Sequence, residues 1–354
     1  MRRVAKLSAA CLVSAALALS VTACGSTSSE KDSGSSGSSS DGDKSGLKIG
    51  LAFDVGGRGD HSFNDSAARG ADKAKKELGA QMKELTAKTS DTEADREQRL
   101  GDLADAGYNP IVGVGYAYAS SMQKVAKQYP KTTFGIVDSQ VPGSNVDSIV
   151  FTEEQGSYLA GVAAALKSKA HHVGFIGGVD VPLIKKFEAG FVQGVTDTDK
   201  KIKVERQYLS HGSDTSGFAS PDKGKEAAQG MLDKGADVVY AAAGSSGNGA
   251  IEAVAGTKGA WAIGVDSDQY QIPGLAKYKK AILTSVVKNV DIGVFDLIKS
   301  VKDGKPKTGT STYALAQGGV SLATSGGNLD DIKTQLDAAK KKITDGAVKV
   351  KTTP

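Results

Sequence analysis

Acidic residues stand at the ends of three predicted strands. Asp54 follows the apolar run LKIGLAF, Asp138 ends FGIVD, and Asp266 ends AIGVD. Ligands of open α/β sheets bind outside the carboxyl ends of the strands, where such carboxylates can accept hydrogen bonds from polar groups. Asp is also common as the N-cap of a helix that follows a strand, and this interpretation of Asp138 and Asp266 stays open.

The loop after the first predicted strand reads FDVGGRGDHSFND, residues 53–65. Its glycines allow tight turns, but their spacing differs from the G-x-G-x-x-G dinucleotide motif, and no P-loop lysine follows them. The loop therefore disfavours a phosphate site. It leaves a carboxylate, Asp54, and an aromatic ring, Phe63, at the mouth of a cleft, unless Phe63 packs in the core of the first helix.

Residue types that often carry catalysis are scarce. The two cysteines, Cys11 and Cys24, both lie near the N-terminus, so the remaining chain has no cysteine nucleophile and no disulfide. The four histidines show no zinc-ligand spacing with carboxylates, and no G-x-S-x-G motif occurs. We therefore expect no catalytic residue, no metal site and no cofactor.

Strands and helices must alternate to position these carboxylates. Strand-like apolar runs are predicted at 47–52, 81–85, 110–114, 133–137, 172–177, 204–209, 238–242, 261–265 and 282–287. Helical patterns are predicted at 62–78, 95–106, 120–128, 156–167, 185–195, 222–234, 248–255 and 291–301. This alternation is typical of α/β proteins with parallel sheets.

The length suits two Rossmann-like lobes with a hinge cleft between them. We predict lobe 1 at 47–138 together with about 270–312, and lobe 2 at 139–269 together with about 313–354.

The N-terminus reads MRRVAKLSAACLVSAALALSVTACGS. A positive start and a short apolar stretch indicate a secretory signal, 1–23, and the small residues before Cys24 resemble a bacterial lipobox. We expect cleavage before Cys24 and acylation of its thiol, palmitate included, so that the protein is anchored on the extracytoplasmic face of the cell membrane. An ordinary signal peptide cut near Ala23 is the alternative. Residues 24–46, rich in Ser and Gly, predict a flexible tether.

The charge argues against nucleic acid as a partner. The formal charge of +4, less the three cations of the leader (Arg2, Arg3 and Lys6), is +1. A near-neutral protein lacks the basic face that phosphate binding requires. We expect a monomer with a small-molecule ligand.

Motifs along most of the chain resemble those of the basic membrane protein family. The segment DVGGRGDHSFNDSA resembles the family's first-strand motif. The other matching segments, in order, are GYAYAS, FGIVD, EEQGSYLAGVAAAL, GFIGGVDVPLIKKFEAGFVQG, GFASPDKGKEAA, DVVYAAAGSSGNG, AIGVDSDQ and ILTSVVKNVD. The resemblance implies a type I periplasmic-binding-protein fold and a nucleoside-binding lipoprotein that serves the permease of an ABC importer.

The resemblance also implies a site for a purine base. Phe63 and Phe218 match two rings, one from each lobe, that sandwich the base, and stacking of this kind requires only a π surface. Asn64 and Asp138 match polar partners of the base edge. Asp54 lies at the same site or only orders its glycine loop. Val55 follows it where some relatives carry a polar residue, so the base preference stays open.

For the sugar, the resemblance implies three further residues. Asp266 matches a carboxylate that accepts from the ribose hydroxyls, and Lys288 matches an ammonium that donates to them, although it could instead lie at the surface. Gly244 matches a position where the backbone approaches the sugar, which a side chain would hinder.

The leading hypothesis is thus a binding protein without a catalytic step, which captures purine nucleosides for import. A secreted nucleoside hydrolase is an alternative, but it needs a tight aspartate cluster for a metal ion, and Asp54, Asp60 and Asp65 are not closely clustered in the sequence. A binding protein or sensor for a pentose or another polar metabolite is a further alternative, because the same fold serves several ligands.

Overall fold

The structure, a computed structural model, describes residues 46–354. The predicted leader, the lipidation site Cys24 and the predicted tether up to residue 45 lie outside the described residues. Within the described residues no helix is both long and apolar enough to span a bilayer.

The strands are β1 (Lys48–Phe53), β2 (Gln81–Thr86), β3 (Ile111–Gly113), β4 (Phe134–Val137), β5 (Val146–Phe151), β6 (His172–Asp180), β7 (Lys203–His211), β8 (Val238–Ala242), β9 (Trp261–Asp266), β10 (Ile282–Lys288), β11 (Gly309–Tyr313) and β12 (Val320–Leu322). The helices are α1 (Phe63–Leu78), α2 (Glu93–Asp105), α3 (Ala119–Gln128), α4 (Glu153–Lys167), α5 (Pro182–Thr198), α6 (Pro221–Asp233), α7 (Ser246–Ala255), α8 (Val290–Lys302) and α9 (Lys333–Thr344). Short 3-10 turns connect several of them.

The strands form two six-stranded sheets. Their orders are β11-β5-β4-β3-β1-β2 and β12-β10-β9-β8-β6-β7. All pairings are parallel except that of β10 with β12. Central strands such as β4 and β8 are buried along their whole length, as expected where helices cover both faces of a parallel sheet. The predicted α/β architecture with two parallel-sheet lobes is confirmed.

Helices pack closely on these sheets because small residues lie at their contacts. In lobe 2, α4 and α5 approach so tightly that a Cβ at Gly161 would lie 2.8 Å from the backbone nitrogen of Val195. In lobe 1, Gly70 of α1 lies against the backbone of Asp291, so α8 packs beside α1. These contacts hold the loops at the strand ends in place.

The lobe boundaries differ from the prediction. β5 belongs to the first sheet and β10 to the second, so lobe 1 consists of residues 48–151 and 290–313, and lobe 2 of residues 153–288 and 320–344. The chain crosses between the lobes after β5, after β10 and between β11 and β12. β5 escaped recognition because it buries Asp147 and Ser148, β11 because its side chains are largely polar, and β12 because it has only three residues.

The loop after β1 joins the two lobes. Ser62 Oγ donates to Asp266 Oδ2 (2.7 Å), and Ser267 Oγ donates to the Ser62 carbonyl (2.8 Å). Asn248 Nδ2 of lobe 2 donates to the Asp60 carbonyl (3.0 Å). These bonds hold the carboxyl ends of the two sheets against each other.

Candidate functional site

All eight residues predicted to bind a ligand line one cavity between the carboxyl ends of the two sheets. The cavity encloses about 540 Å³ of space between its lining atoms, part of it open to solvent. Lobe 1 contributes Asp54, Phe63, Asn64 and Asp138, and lobe 2 contributes Phe218, Gly244, Asp266 and Lys288.

Lys288 is the electrostatic centre of the cavity. Its Nζ lies 2.6 Å from Asp138 Oδ2 of the other lobe and 3.7 Å from Asp266 Oδ1. The residue is 2% exposed, so its assignment as a surface lysine is wrong. Burial alone would lower the pKa of Lys288, but the carboxylates of Asp138, Asp266 and Glu153 outweigh it and hold the pKa above its usual value. The ammonium therefore stays charged and links the lobes.

The two aspartates that face Lys288 share an unusual backbone conformation. The φ angles are +66° at Asp138 and +63° at Asp266. Non-glycine residues adopt this left-handed conformation rarely, Asp and Asn more readily than most, and such strain concentrates at functional sites. Neither residue is a helix N-cap: β5 follows Asp138, and Asp268 precedes the short turn after β9. The N-cap interpretation is thus wrong, and the turns instead direct both carboxylates into the cavity.

Unpaired and desolvated oxygens leave these carboxylates available as hydrogen-bond acceptors. Asp138 Oδ1 is buried and has no hydrogen-bond partner among the described residues. Burial raises the pKa of Asp266, although Lys288 and Ser62 oppose this rise. Buried polar atoms normally have partners, so an unpaired one that lines a cavity indicates a hydrogen donor on a bound molecule.

Aromatic side chains from both lobes line the cavity. The Phe63 ring lies 4.7 Å from Lys288 Nζ, measured to its centroid. Phe218 ends a 3-10 turn, and Ser245 Oγ donates to its carbonyl (3.0 Å). A Cβ at Gly244 would lie 2.9 Å from that same carbonyl oxygen, so glycine at this position allows the close approach of Phe218.

Asn64 has structural partners. Its Nδ2 donates to the Val55 carbonyl (3.2 Å) and to Asp60 Oδ2 (3.0 Å), and its Oδ1 accepts from the Asp54 backbone (3.1 Å). Both amide hydrogens are thus used to order the loop after β1. Asn64 lies in the cavity wall, but in this structure it has no hydrogen left to donate to a base edge.

Asp54 and Asp60 are buried carboxylates in the same loop. Desolvation raises the pKa of each to about 6, although backbone hydrogen bonds oppose the rise. Asp60 accepts from the backbone nitrogens of Ser62, Asn64 and Asp65 and so caps the first turn of α1. Asp54 has one such bond, from Val55 (2.8 Å), and it lines the cavity.

We expect the substitution Asp54→Asn to stabilise the ligand-free protein at pH 8 by on the order of 2–3 kcal/mol. A carboxyl pKa raised from 3.8 to about 6 in the folded state means that the folded state favours the protonated form. Stability is therefore lost as the pH rises through 6 and is regained below it. Denaturant unfolding from pH 4 to 8 should show the variant's advantage at high pH only. An equal difference at all pH values would contradict this electrostatic origin.

Several cavity residues escaped sequence analysis. Tyr116 lies in the GYAYAS segment, three residues after the end of β3, and this place in a loop that follows a strand was the available signal. Leu183, Ile184 and Phe187 extend from the first turns of α5 into the cavity, and nothing in the pattern of an ordinary amphipathic helix distinguishes them.

Comparisons with known proteins agree with this architecture. Residues 48–353 match the sequence model of a family described as "ABC transporter substrate-binding protein PnrA-like". The chain is similar to the "ABC transporter nucleoside-binding protein BmpA" of Lactococcus lactis, with 36% identity over 326 residues, 87% of this chain and 90% of the relative. It is also similar to an uncharacterized lipoprotein of Pyrococcus abyssi, with 35% identity over 312 residues, 83% of this chain and 72% of the relative.

Among solved structures, a solute-binding protein of an Aeropyrum pernix ABC transporter system superposes with a TM-score of 0.73 at 28% identity, covering 86% of this chain and 93% of that one. The family model, the two relatives and the solved structure agree with the motif resemblance and with the fold that it implied.

Proposed function

Because the chain belongs to the PnrA-like family of ABC transporter substrate-binding proteins, we propose that it is a lipid-anchored extracytoplasmic protein that binds purine nucleosides between its lobes. It releases them to the permease of an importer and carries out no reaction on them. The observation that carries this proposal is the cavity itself, in which Phe63 lies beside the ion cluster, 4.7 Å from Lys288 Nζ, and the Phe218 and Tyr116 rings lie toward the other end.

The two ends follow from the strand orders. Lys288 and Asp266 end the neighbouring strands β10 and β9 and meet Asp138 at the end of β4. At the other end, Phe218 follows β7, the far edge of its sheet, and its ring lies 6.4 Å from that of Tyr116, which follows β3. The cavity therefore suits a ligand that is polar at one end and flat and aromatic at the other.

The charged end suits the hydroxyls of a ribose. Each hydroxyl both donates and accepts, so neighbouring hydroxyls are satisfied by carboxylates that accept and an ammonium that donates. Asp266 supplies an acceptor, and Lys288 lies beside it as the donor. Because Asp138 is paired with Lys288, we assign it to this end as a second acceptor and not to the base edge, where the resemblance placed it. Because the described cavity walls carry more carboxylates than ammonium groups, a phosphate is a poor fit.

The aromatic rings of the cavity suit a purine. Phe63 from lobe 1 and Phe218 from lobe 2 offer π surfaces from opposite lobes, and Phe187 of α5 adds an apolar wall. A pentose bound at the ion cluster would leave the Phe218 ring without a partner. This difference favours a nucleoside over a free sugar.

A thermal-shift panel of nucleosides, free bases, pentoses and nucleotides tests the proposal, since a ligand of the native state raises its apparent stability. We expect purine nucleosides to give the largest shifts. A shift with ribose as large as that with its nucleosides would favour the pentose alternative. Incubation with inosine should release no hypoxanthine, and its release would establish the hydrolase alternative instead.

We expect Phe218→Ala to weaken nucleoside binding by roughly 10–100-fold, because a stacked base contributes about 1–3 kcal/mol. The matched control is Phe295→Ala: Phe295 is likewise partly buried, but it lies on α8 under Lys73, outside the cavity. Isothermal titration calorimetry should find the control's affinity unchanged. Equal affinities for the two variants would show that Phe218 does not stack on the ligand.

A further inference from the structure

The Tyr116 hydroxyl is a buried polar group that the proposed function does not yet use. Its oxygen has no hydrogen-bond partner within residues 46–354, and the residue lines the cavity. Burial, with a contribution from nearby Asp54, raises the pKa of Tyr116 to about 12. At neutral pH the group is therefore a neutral hydroxyl that can donate a hydrogen bond to a bound molecule.

Asp54 is the neighbour of Tyr116 at this end of the cavity. A Cβ at Gly115 would lie 2.7 Å from Asp54 Oδ2, so this carboxylate oxygen rests against the backbone just before Tyr116. The φ angle of Gly115, +112°, and this close contact both require glycine there. The structure thus places a carboxylate and a phenol near each other in the lining of the cavity.

These two groups lie at the end of the cavity remote from the ribose site. In the first sheet, β3 separates β4, which precedes Asp138, from β1, which precedes Asp54. Adjacent strands are about 4.8 Å apart, so Asp138 and Asp54 follow strands about 10 Å apart. A nucleoside held by its sugar near Asp138 therefore extends its base toward Tyr116 and Asp54.

We propose that Tyr116 and Asp54 bind the Watson–Crick edge of the base and select 6-oxopurine nucleosides, guanosine and inosine, over adenosine. This inference rests on the proposed binding of purine nucleosides. The edge of a 6-oxopurine presents the O6 acceptor beside the N1–H donor, which matches a phenol that donates and a carboxylate that accepts. Adenine presents the reverse, an amino donor beside the unprotonated N1.

The mismatch with adenine lowers the affinity for adenosine because the Tyr116 hydroxyl and the Asp54 carboxylate are both buried. A site built to bond specific donors and acceptors rejects an analogue that leaves them unpaired, and adenine N1 would face the carboxylate without a proton between them. Above pH 6 the Asp54 carboxylate is ionised and accepts only. Its charged or titratable neighbours are Asp60 in its own loop, Arg96 of α2, Tyr116 after β3 and Asp138 after β4.

Calorimetric titration with guanosine, inosine and adenosine at pH 7.5 tests the inference on the wild type and on Tyr116→Phe. The wild type should bind the two 6-oxopurine nucleosides at least roughly tenfold more tightly than adenosine. Tyr116→Phe keeps the ring beside Phe218 and removes only the hydroxyl. It should weaken inosine and guanosine roughly tenfold while adenosine changes less than about twofold.

Tyr129→Phe is the control, because the Tyr129 hydroxyl donates to Asp105 at the surface, and it should match the wild type. Equal wild-type affinity for all three nucleosides, or an equal loss for all three in Tyr116→Phe, would overturn the selection but leave nucleoside binding in place. Binding of none of the three would overturn the proposed function itself, and the selection with it.

Discussion

Replacing Lys288 with Met is expected to abolish nucleoside binding and to lower the free energy of unfolding by about 3–5 kcal/mol, because removal of one partner leaves buried charge uncompensated. Lys288 is the only ammonium within 4 Å of Asp138 and Asp266 in the described structure, and both carboxylates are desolvated. The loss should appear in denaturant unfolding of the ligand-free protein and in calorimetry with guanosine.

The pH dependence of this loss identifies its origin. Without the ammonium, the pKa of Asp266, which burial already raises, rises further, so the folded variant binds protons more readily than the unfolded chain. Stability should therefore recover as the pH falls from 8 toward 5. Lys167→Met is the control: Lys167 is also largely buried, but its partner Asp331 is exposed, and we expect a loss of less than about 1 kcal/mol. If Lys288→Met also lowered the free energy of unfolding by less than about 1 kcal/mol, this result would contradict a buried charged cluster of Lys288, Asp138 and Asp266.

For Asp266→Asn we expect a loss of affinity of roughly 100–1,000-fold, equivalent to about 3–4 kcal/mol, because hydrogen bonds to a buried charge are the strong ones. Asn tolerates the left-handed backbone and can still accept from Ser62 Oγ, so the shape of the site is kept. Since burial disfavours the charged form of Asp266, the ligand-free variant should be about as stable as the wild type.

Asp268→Asn provides the comparison for Asp266→Asn. Asp268 lies two residues further on and accepts from Ser325 outside the cavity, so its replacement should leave affinity within about twofold, since it forms no bond to the ligand. If Asp266→Asn instead lowered stability and kept the affinity, Asp266 would have a structural role and the ribose site would have to be placed elsewhere.

Much of the fold could be predicted from the sequence because its central strands are apolar runs of ordinary length. β8 and the core of β9 were predicted within a residue, and α1 begins one residue after the predicted start. The strands that escaped prediction, β5, β11 and β12, lie at the crossings between the lobes. Their side chains are polar or their lengths are short, so the lobe boundaries depended on pairings that only the folded structure reveals.

The candidate site could be predicted from the sequence to a similar degree and for a related reason. The strand ends identified Asp54, Asp138 and Asp266, and the loop after the first strand identified Phe63. The motif resemblance added the other predicted site residues. The pairing of Lys288 with Asp138 spans 150 residues and depends on the chain crossing after β10. Whether a side chain is free or occupied also depends on the fold: Asn64 has its amide hydrogens engaged, whereas the Tyr116 hydroxyl has no partner.

The most direct test is a competition for the cavity. Protein that has been unfolded and refolded, to remove any carried ligand, is mixed with equal amounts of purine nucleosides, their free bases, pentoses and hexoses, then desalted, denatured and analysed by mass spectrometry. The account predicts that a purine nucleoside, guanosine or inosine above adenosine, is released in nearly equimolar amount. Release of a sugar, or of no nucleoside, would contradict it.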